Sequence, residues 1–150
     1  MFVLNFFYMG FTPPRFTLRK TPMPSPTVLS VLVAEDNPVF QRVAVAILKS
    51  LGHKGIVVSD GEKALRVTTQ LVFDVVLMDV SMPHCDGMQA LAELLERKRQ
   101  GIRTPPVIMV TAHDLPGDRE RFLAAGANGY IAKPMSAATL TAELRAVLGR

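Results

Sequence analysis

The sequence predicts an α/β protein built on a parallel sheet. Three observations carry this. Short apolar runs at 28–34, 56–58, 75–78, 107–110 and 130–132 alternate with stretches of helical periodicity. The strongest run, Val75-Val76-Leu77-Met78, shows no polar alternation, as expected of a strand covered on both faces. Four of the runs lead straight into polar groups: Glu35-Asp36, Asp79, Thr111 and Lys133.

The elements follow in order. Val28 to Ala34 is apolar and rich in β-branched residues, and reads as the first strand. Asn37-Pro38 supplies an N-cap residue and a proline suited to the first helical position. The helix it opens extends to about Leu51, with Val39, Val43, Ile47 and Leu51 assigned to the sheet, and Gly52 ends it. Ile56-Val57-Val58 is the second strand, and Ser59 or Asp60 caps a short helix through Gln70. The third strand ends at Asp79, and Pro83 and Asp86-Gly87 mark the loop beyond it. Asp86-Gly87 opens a helix whose Met88, Leu91, Leu94 and Leu95 face the core. Pro105-Pro106 separates it from the fourth strand, Val107 to Val110, ending in Thr111. A helix from about Pro116 to Ala125 and a turn at Gly126 to Gly129 lead to the fifth strand, Tyr130-Ile131-Ala132, ending in Lys133-Pro134. Ser136 caps a last helix carrying Leu140, Leu144 and Val147. Strands that alternate with helices in this way require crossovers, hence a parallel sheet with helices on both faces.

The chain has 150 residues, of which 49% are hydrophobic, enough for one domain with a substantial core. A single cysteine, Cys85, excludes an internal disulfide framework and fits a reducing, cytoplasmic setting. The formal charge is +4, and Arg15, Arg19 and Lys20 account for three of those charges within the acid-free first 26 residues. The remainder is near neutral, which argues against direct nucleic-acid binding. Arg97-Lys98-Arg99 falls at a helix end, where cations suit the helix dipole. Residues 1–26 carry prolines at 13, 14, 22, 24 and 26, a density that prevents regular ladders. They read as a flexible tail or linker, with the domain proper at 27–150. The aromatic start, Met1 to Gly10, is too short to span a bilayer and lacks the features of a signal peptide. It fits packing on a partner or an upstream boundary cut from a longer protein.

In a parallel sheet the strand ends named above share one edge. Three carboxylates, a hydroxyl and an ammonium converge there. Ligands of open α/β sheets bind in the crevice beyond this edge. Carboxylates crowded together repel unless a cation joins them. Hard oxygen ligands with room for water suit Mg²⁺, which takes one or two carboxylates plus phosphate oxygens. Thr111 and Lys133 can donate to the other oxygens of a phosphoryl group.

Val33-Ala34-Glu35-Asp36-Asn37, Leu77-Met78-Asp79-Val80-Ser81-Met82-Pro83, Asp86-Gly87, Val110-Thr111-Ala112 and Gly129-Tyr130-Ile131-Ala132-Lys133-Pro134 resemble the receiver domain of two-component response regulators, over about residues 28–149. The resemblance implies a flavodoxin-like (βα)5 three-layer sandwich with strand order 2-1-3-4-5. It implies that Asp79 accepts a phosphoryl group from phosphohistidine. It further implies that Glu35, Asp36, Asp79 and the carbonyl of Ser81 hold Mg²⁺, that Thr111 and Lys133 contact the phosphoryl group, and that Tyr130 with Thr111 forms the switch. Glu35-Asp36-Asn37-Pro38 with Gln41, Gly52-His53 and the Arg97–Pro106 connection are closest in character to receivers of hybrid histidine kinases. Phe40 departs from that pattern, since such receivers often carry a polar residue there.

The implied function is a phosphoacceptor in a phosphorelay. It assists its own phosphorylation without being a stand-alone enzyme, is partnered by a histidine kinase or histidine phosphotransfer protein, and has no membrane insertion of its own. An aspartyl-phosphate hydrolase and a phosphorylation-independent binding module are the alternatives. The first usually carries a second acid two residues after the nucleophile, where Ser81 stands. The second tends to lose the acids or the lysine. A flavin carrier would need a phosphate-cradling loop after the first strand. Phe40, Ala44 and Leu48 recur at four-residue spacing as a second apolar stripe on the first helix. They are assigned either to a broad core face or to a docking surface for a phosphohistidine-bearing helical bundle.

Overall fold

The structure, a computed structural model, describes residues 27–112 and 114–149. The expected tail at 1–26 therefore lies outside the described residues. Five strands, β1 (Ser30–Ala34), β2 (Lys54–Val58), β3 (Val75–Asp79), β4 (Val107–Thr111) and β5 (Gly129–Ala132), alternate with five helices: α1 (Pro38–Ser50), α2 (Gly61–Gln70), α3 (Gly87–Arg99), α4 (Asp118–Ala124) and α5 (Ala137–Leu148). The sheet is parallel throughout, in the order β2-β1-β3-β4-β5. This is the three-layer flavodoxin-like arrangement.

The pleat divides the core in two. Val76 and Met78 of β3 join Leu32, Met109 and Tyr130 in a cluster with Ala64, Leu91, Leu94 and Phe122 of the helices α2, α3 and α4. Val75 and Leu77 join Val31, Val33, Ile108, Val110 and Ile131 against Ala44, Leu48, Leu140 and Leu144 of α1 and α5. Both faces of β3 are thus covered, which is why its sequence does not alternate.

Helix starts obey local chemistry. The Asn37 side chain accepts from the amides of Val39 and Phe40, Asp60 from Lys63, Asp86 from Gln89 and Ser136 from Thr139. α4 begins at Asp118, later than the expected Pro116, because the Asp118 carboxylate accepts from the Leu115 amide and ties residues 115–118 into a turn. β2 starts earlier than expected, at Lys54, since an edge strand can pair while its side chains stay wet.

The phase of α1 corrects half of the assignment made from periodicity: Ile47 and Leu51 pack against the core as expected, but Val39 and Val43 do not. Ala44 and Leu48 are only 4% and 1% exposed, so neither can belong to a docking surface, whereas Val39 and Val43 are 59% and 36% exposed. Neighbouring stripes on a helix differ by about 100° and both are apolar here, so periodicity alone does not choose between them. Packing does: a Cβ on Gly55 of β2 would come within 2.9 Å of Leu48 Cδ1, so the missing side chain makes room for Leu48.

Candidate phosphoryl-acceptor site

The site grows out of the pleat. Glu35, Asp79 and Lys133 continue the alternation of Val31-Val33, Val75-Leu77 and Ile131, toward the α1/α5 layer. Thr111 and Tyr130 belong to the opposite register, with Met109, on the α2–α4 side. Glu35, Asp79 and Lys133 thus start on one face of the sheet edge and Tyr130 on the other, with Thr111, expected both to bind and to switch, on the Tyr130 side.

Asp79 is 6% exposed and Glu35 5% exposed at the end of the neighbouring strand. The Lys133 ammonium lies 2.6 Å from Glu35 Oε2 and 3.3 Å from Asp79 Oδ2. Glu35 is fixed further by the Asn37 amide, which donates to its Oε1 over 3.0 Å, and by Gln41 Nε2, which donates to its backbone carbonyl over 2.6 Å. Burial pushes the Glu35 carboxyl above the usual carboxylate range, and Asp79 adds to the rise; the hydrogen bonds from Lys133 and Asn37 oppose it without cancelling it. Asp36 is exposed at the rim. The Ser81 amide donates to Asp79 Oδ1 over 3.4 Å, setting the Ser81 backbone beside that carboxylate. Thr111 is 3% exposed, and its carbonyl accepts from the Lys133 amide over 2.7 Å, tying the ends of β4 and β5 together.

The loop after β3 is held close by glycine. The Gly87 amide donates to the Val80 carbonyl over 3.0 Å, and a Cβ on Gly87 would collide with the carbonyl oxygen of Asp79. Asp86-Gly87 therefore serves both as the α3 cap and as the support of the strand end that presents Asp79.

Glu35, Asp36 and Asp79 each offer a carboxylate oxygen within 4.8 Å of the others. When ionised, three carboxylates and one ammonium leave two negative charges, the complement of one divalent cation. Mg²⁺ fits this set: the donors are hard, and one of them, Asp36, opens to solvent, leaving room for water.

Tyr130 is buried, its ring stacked on Phe122 with centroids 5.6 Å apart. Its hydroxyl donates to Asp114 Oδ1 over 2.9 Å, and its amide donates to Glu143 Oε1 over 2.8 Å. Arg119 pairs with Glu143 at 3.2 Å and reaches the Tyr130 carbonyl. The sequence reading missed Gln41's hold on Glu35 and the Asp114, Arg119 and Glu143 bracing of Tyr130. A signal existed for one of them: Glu143 is an acid beside Leu144 on the packed side of α5, where a charge needs a partner.

Comparison with known proteins agrees with this geometry. Residues 31–145 match the family described as the response regulator receiver domain. The chain belongs to this family. As a receiver domain it is a phosphoacceptor of two-component phosphorelays, and its Glu35, Asp36 and Asp79 could hold a metal ion. It is 34% identical over 111 residues to the signal transduction histidine-protein kinase BarA of Shigella flexneri, a match covering 74% of this chain and 12% of the kinase. It is 37% identical over 120 residues to a probable transcriptional regulator, ycf27, of Guillardia theta, covering 80% of this chain and 45% of that protein. The chain thus spans a small part of the kinases it matches. A crystal structure of the receiver domain of sensor histidine kinase PA1611 from Pseudomonas aeruginosa, with magnesium in the active-site cleft, is 40% identical with a TM-score of 0.71 and covers 83% of this receiver and 100% of that chain. The receiver of the histidine kinase CKI1 from Arabidopsis thaliana, complexed with Mg²⁺ and BeF3⁻, is 30% identical with a TM-score of 0.70, covering 81% and 91%. Among the described residues no helix is long and apolar enough to cross a membrane.

Proposed function

We propose that Asp79 is the residue that takes the phosphoryl group, that the donor is the phosphohistidine of a histidine kinase or histidine phosphotransfer protein, and that Glu35, Asp36, Asp79 and the Ser81 carbonyl hold Mg²⁺. The observation that carries this is the placement of Asp79: a carboxylate 6% exposed at a strand end, 3.3 Å from the Lys133 ammonium and within 4.8 Å of two further acids. A divalent ion bound there supplies neutralisation of the phosphoryl oxygens.

The chain's own groups do the rest. An Asp79 oxygen attacks phosphorus in line, the P–N bond to the donor imidazole breaks, and the imidazole leaves with the electron pair. The product is an acyl phosphate. Catalysis rests on positioning and charge neutralisation rather than on acid–base work. Lys133 gives up part of its contact with Asp79 and pairs with a new phosphoryl oxygen. Thr111 donates its hydroxyl to another, and its movement is passed through the β4 end to Tyr130, which lies on the same face of the sheet opposite Met109. The coupling is a two-state shift biased by contacts present only after phosphorylation.

The chain assists its own phosphorylation and turns over no separate substrate. The lone Cys85 and a phosphohistidine partner fit the cytoplasm. Residues 27–150 form the receiver unit, and 1–26 act as a tail or linker, in keeping with a hybrid kinase of which this is one module.

Incubation with Mg²⁺ and phosphoramidate, read by intact mass, tests the assignment. The parent gains one phosphate. Asp79→Asn, nearly isosteric, stays folded and gains none. Labelling of the mutant at another residue overturns the assignment, and multiple turnover on phosphate esters would make the protein a hydrolase instead.

A further inference from the structure

Phe40 is an apolar residue set directly against the charged groups of this site. It is an aromatic ring in the first turn of α1, beside three acids and an ammonium. Its backbone is pinned by the Asn37 cap, which accepts from the Phe40 amide over 3.4 Å, and by Pro38 at the start of the helix. Below it on the same stripe Ala44 and Leu48 enter the core. The ring therefore ends an apolar column where the charged cleft begins. Val43, Leu77, Val110 and Met135 share this small cavity with it, and Glu35, Asp79 and Lys133 close the polar end.

The Lys133 ammonium sits 4.1 Å from the centroid of the Phe40 ring, well inside the range of a cation–π contact. The Lys133 side chain is 8% exposed, so the contact is largely desolvated, the condition under which such contacts are strongest. Glu35 Oε2, Asp79 Oδ2 and the ring face make three partners for the three N–H bonds of a lysine ammonium. Lys133 reaches this point from the end of β5, on a long, rotamer-rich side chain. Nothing in its own strand fixes where the ammonium stops.

We infer that Phe40 is a positioning residue for phosphoryl transfer, its ring face holding the Lys133 ammonium on the Glu35–Asp79 side of the cleft. The inference rests on the reading of Asp79 as phosphoacceptor. A ring suits this task in a way that a polar side chain does not. It attracts the cation without offering an oxygen that would hold Lys133 away from the acids. Its attraction is broad rather than directional, so the ammonium can move from Asp79 Oδ2 to a phosphoryl oxygen while one side of it stays covered.

The alternative is that Phe40 merely closes the top of the core. Leucine separates the two, because it keeps apolar packing but has no π face. Tyrosine keeps the face. With Mg²⁺ and phosphoramidate, Phe40→Leu should phosphorylate about three- to tenfold more slowly than the parent, and Phe40→Tyr within about twofold of it. A second readout is independent of phosphate. The ring current of Phe40 should move the Lys133 ε-CH2 protons upfield in a ¹H–¹³C spectrum, a shift kept in Phe40→Tyr and lost in Phe40→Leu. A parental rate in Phe40→Leu, or equal losses in both variants, overturns the inference. If Phe40→Leu fails to fold, the parent spectrum decides: Lys133 ε-CH2 protons at ordinary positions overturn it. A parent that takes up no phosphate overturns the phosphoacceptor reading together with this one, and its own labelling distinguishes that case.

Discussion

Tyr130 shows how surroundings set the chemistry of a single side chain. Its ring is buried against Phe122, and its hydroxyl is committed to Asp114. Burial first, and the Asp114 carboxylate second, push the phenol from its ordinary 10.0 up to about 12. Both effects disfavour the phenolate, so the folded protein keeps its proton longer than the unfolded chain does. The contribution to stability is complete below pH 10, and it is lost as pH rises from about 10 through 12, because the unfolded chain deprotonates first. In a Tyr8→Phe background, leaving one tyrosine, the phenolate absorbance should appear in a single step near pH 12. A step near pH 10 would mean that Tyr130 is solvated in solution. Asp114→Asn should lower the midpoint, since it removes the carboxylate while leaving the burial.

At the scale of the element, α1 carries two jobs on two sides. Its inner stripe, Phe40, Ala44 and Leu48, meets the sheet and the Lys133 ammonium. Its outer side presents Val39 to solvent, three residues after Asp36, with the half-exposed Val43 one turn on at the edge of the cavity. For a partner that delivers a phosphohistidine to Asp79 over this rim, exposed valines there are a natural contact for the apolar face of a helical bundle. Val39→Asp should reduce transfer from a phosphohistidine-bearing partner by about tenfold, the effect of an interface residue that costs more than about 1 kcal/mol, and lower labelling by phosphoramidate far less. Equal losses in the two assays would remove α1 from the interface. The same helix also explains why the site is preformed: Gln41 and the Asn37 cap hold Glu35 from its first turns.

For the whole molecule, the relevant question is where the folding unit ends. The described residues cover both faces of the sheet, with α1 and α5 on one and α2, α3 and α4 on the other. β1 begins at Ser30, and Leu29 already contributes to the core. A chain starting at Thr27 should therefore melt within about 2 °C of the full chain, a shift worth under about 1 kcal/mol for a domain of this size. It should also take up phosphate at the parental rate. A larger loss of melting temperature would place part of residues 1–26 in the fold.

The sequence by itself determined the class of the protein and which polar groups meet at one sheet edge. Strands buried on both faces must be continuously apolar, so polar residues at their ends stand out, and parallel pairing puts those ends on one edge. Glu35, Asp36, Asp79, Thr111 and Lys133 were legible for that reason. Lateral strand order was not, because periodicity reports which faces are covered and says nothing of which strand lies beside which; it came from resemblance and the sheet bears it out. Periodicity assigns Val39 and Val43 to the sheet together with Ile47 and Leu51, but only the latter two pack there; two adjacent stripes are both apolar, and packing, with the room above Gly55, takes Leu48 in and leaves Val39 out. The contact of Phe40 with Lys133, the Asp114 hydrogen bond to Tyr130 and the Glu143–Arg119 brace join residues between 16 and 93 positions apart in the chain. Such pairs have no local signature, since what brings them together is the packing of separate elements on one sheet, and that exists only once the chain has folded.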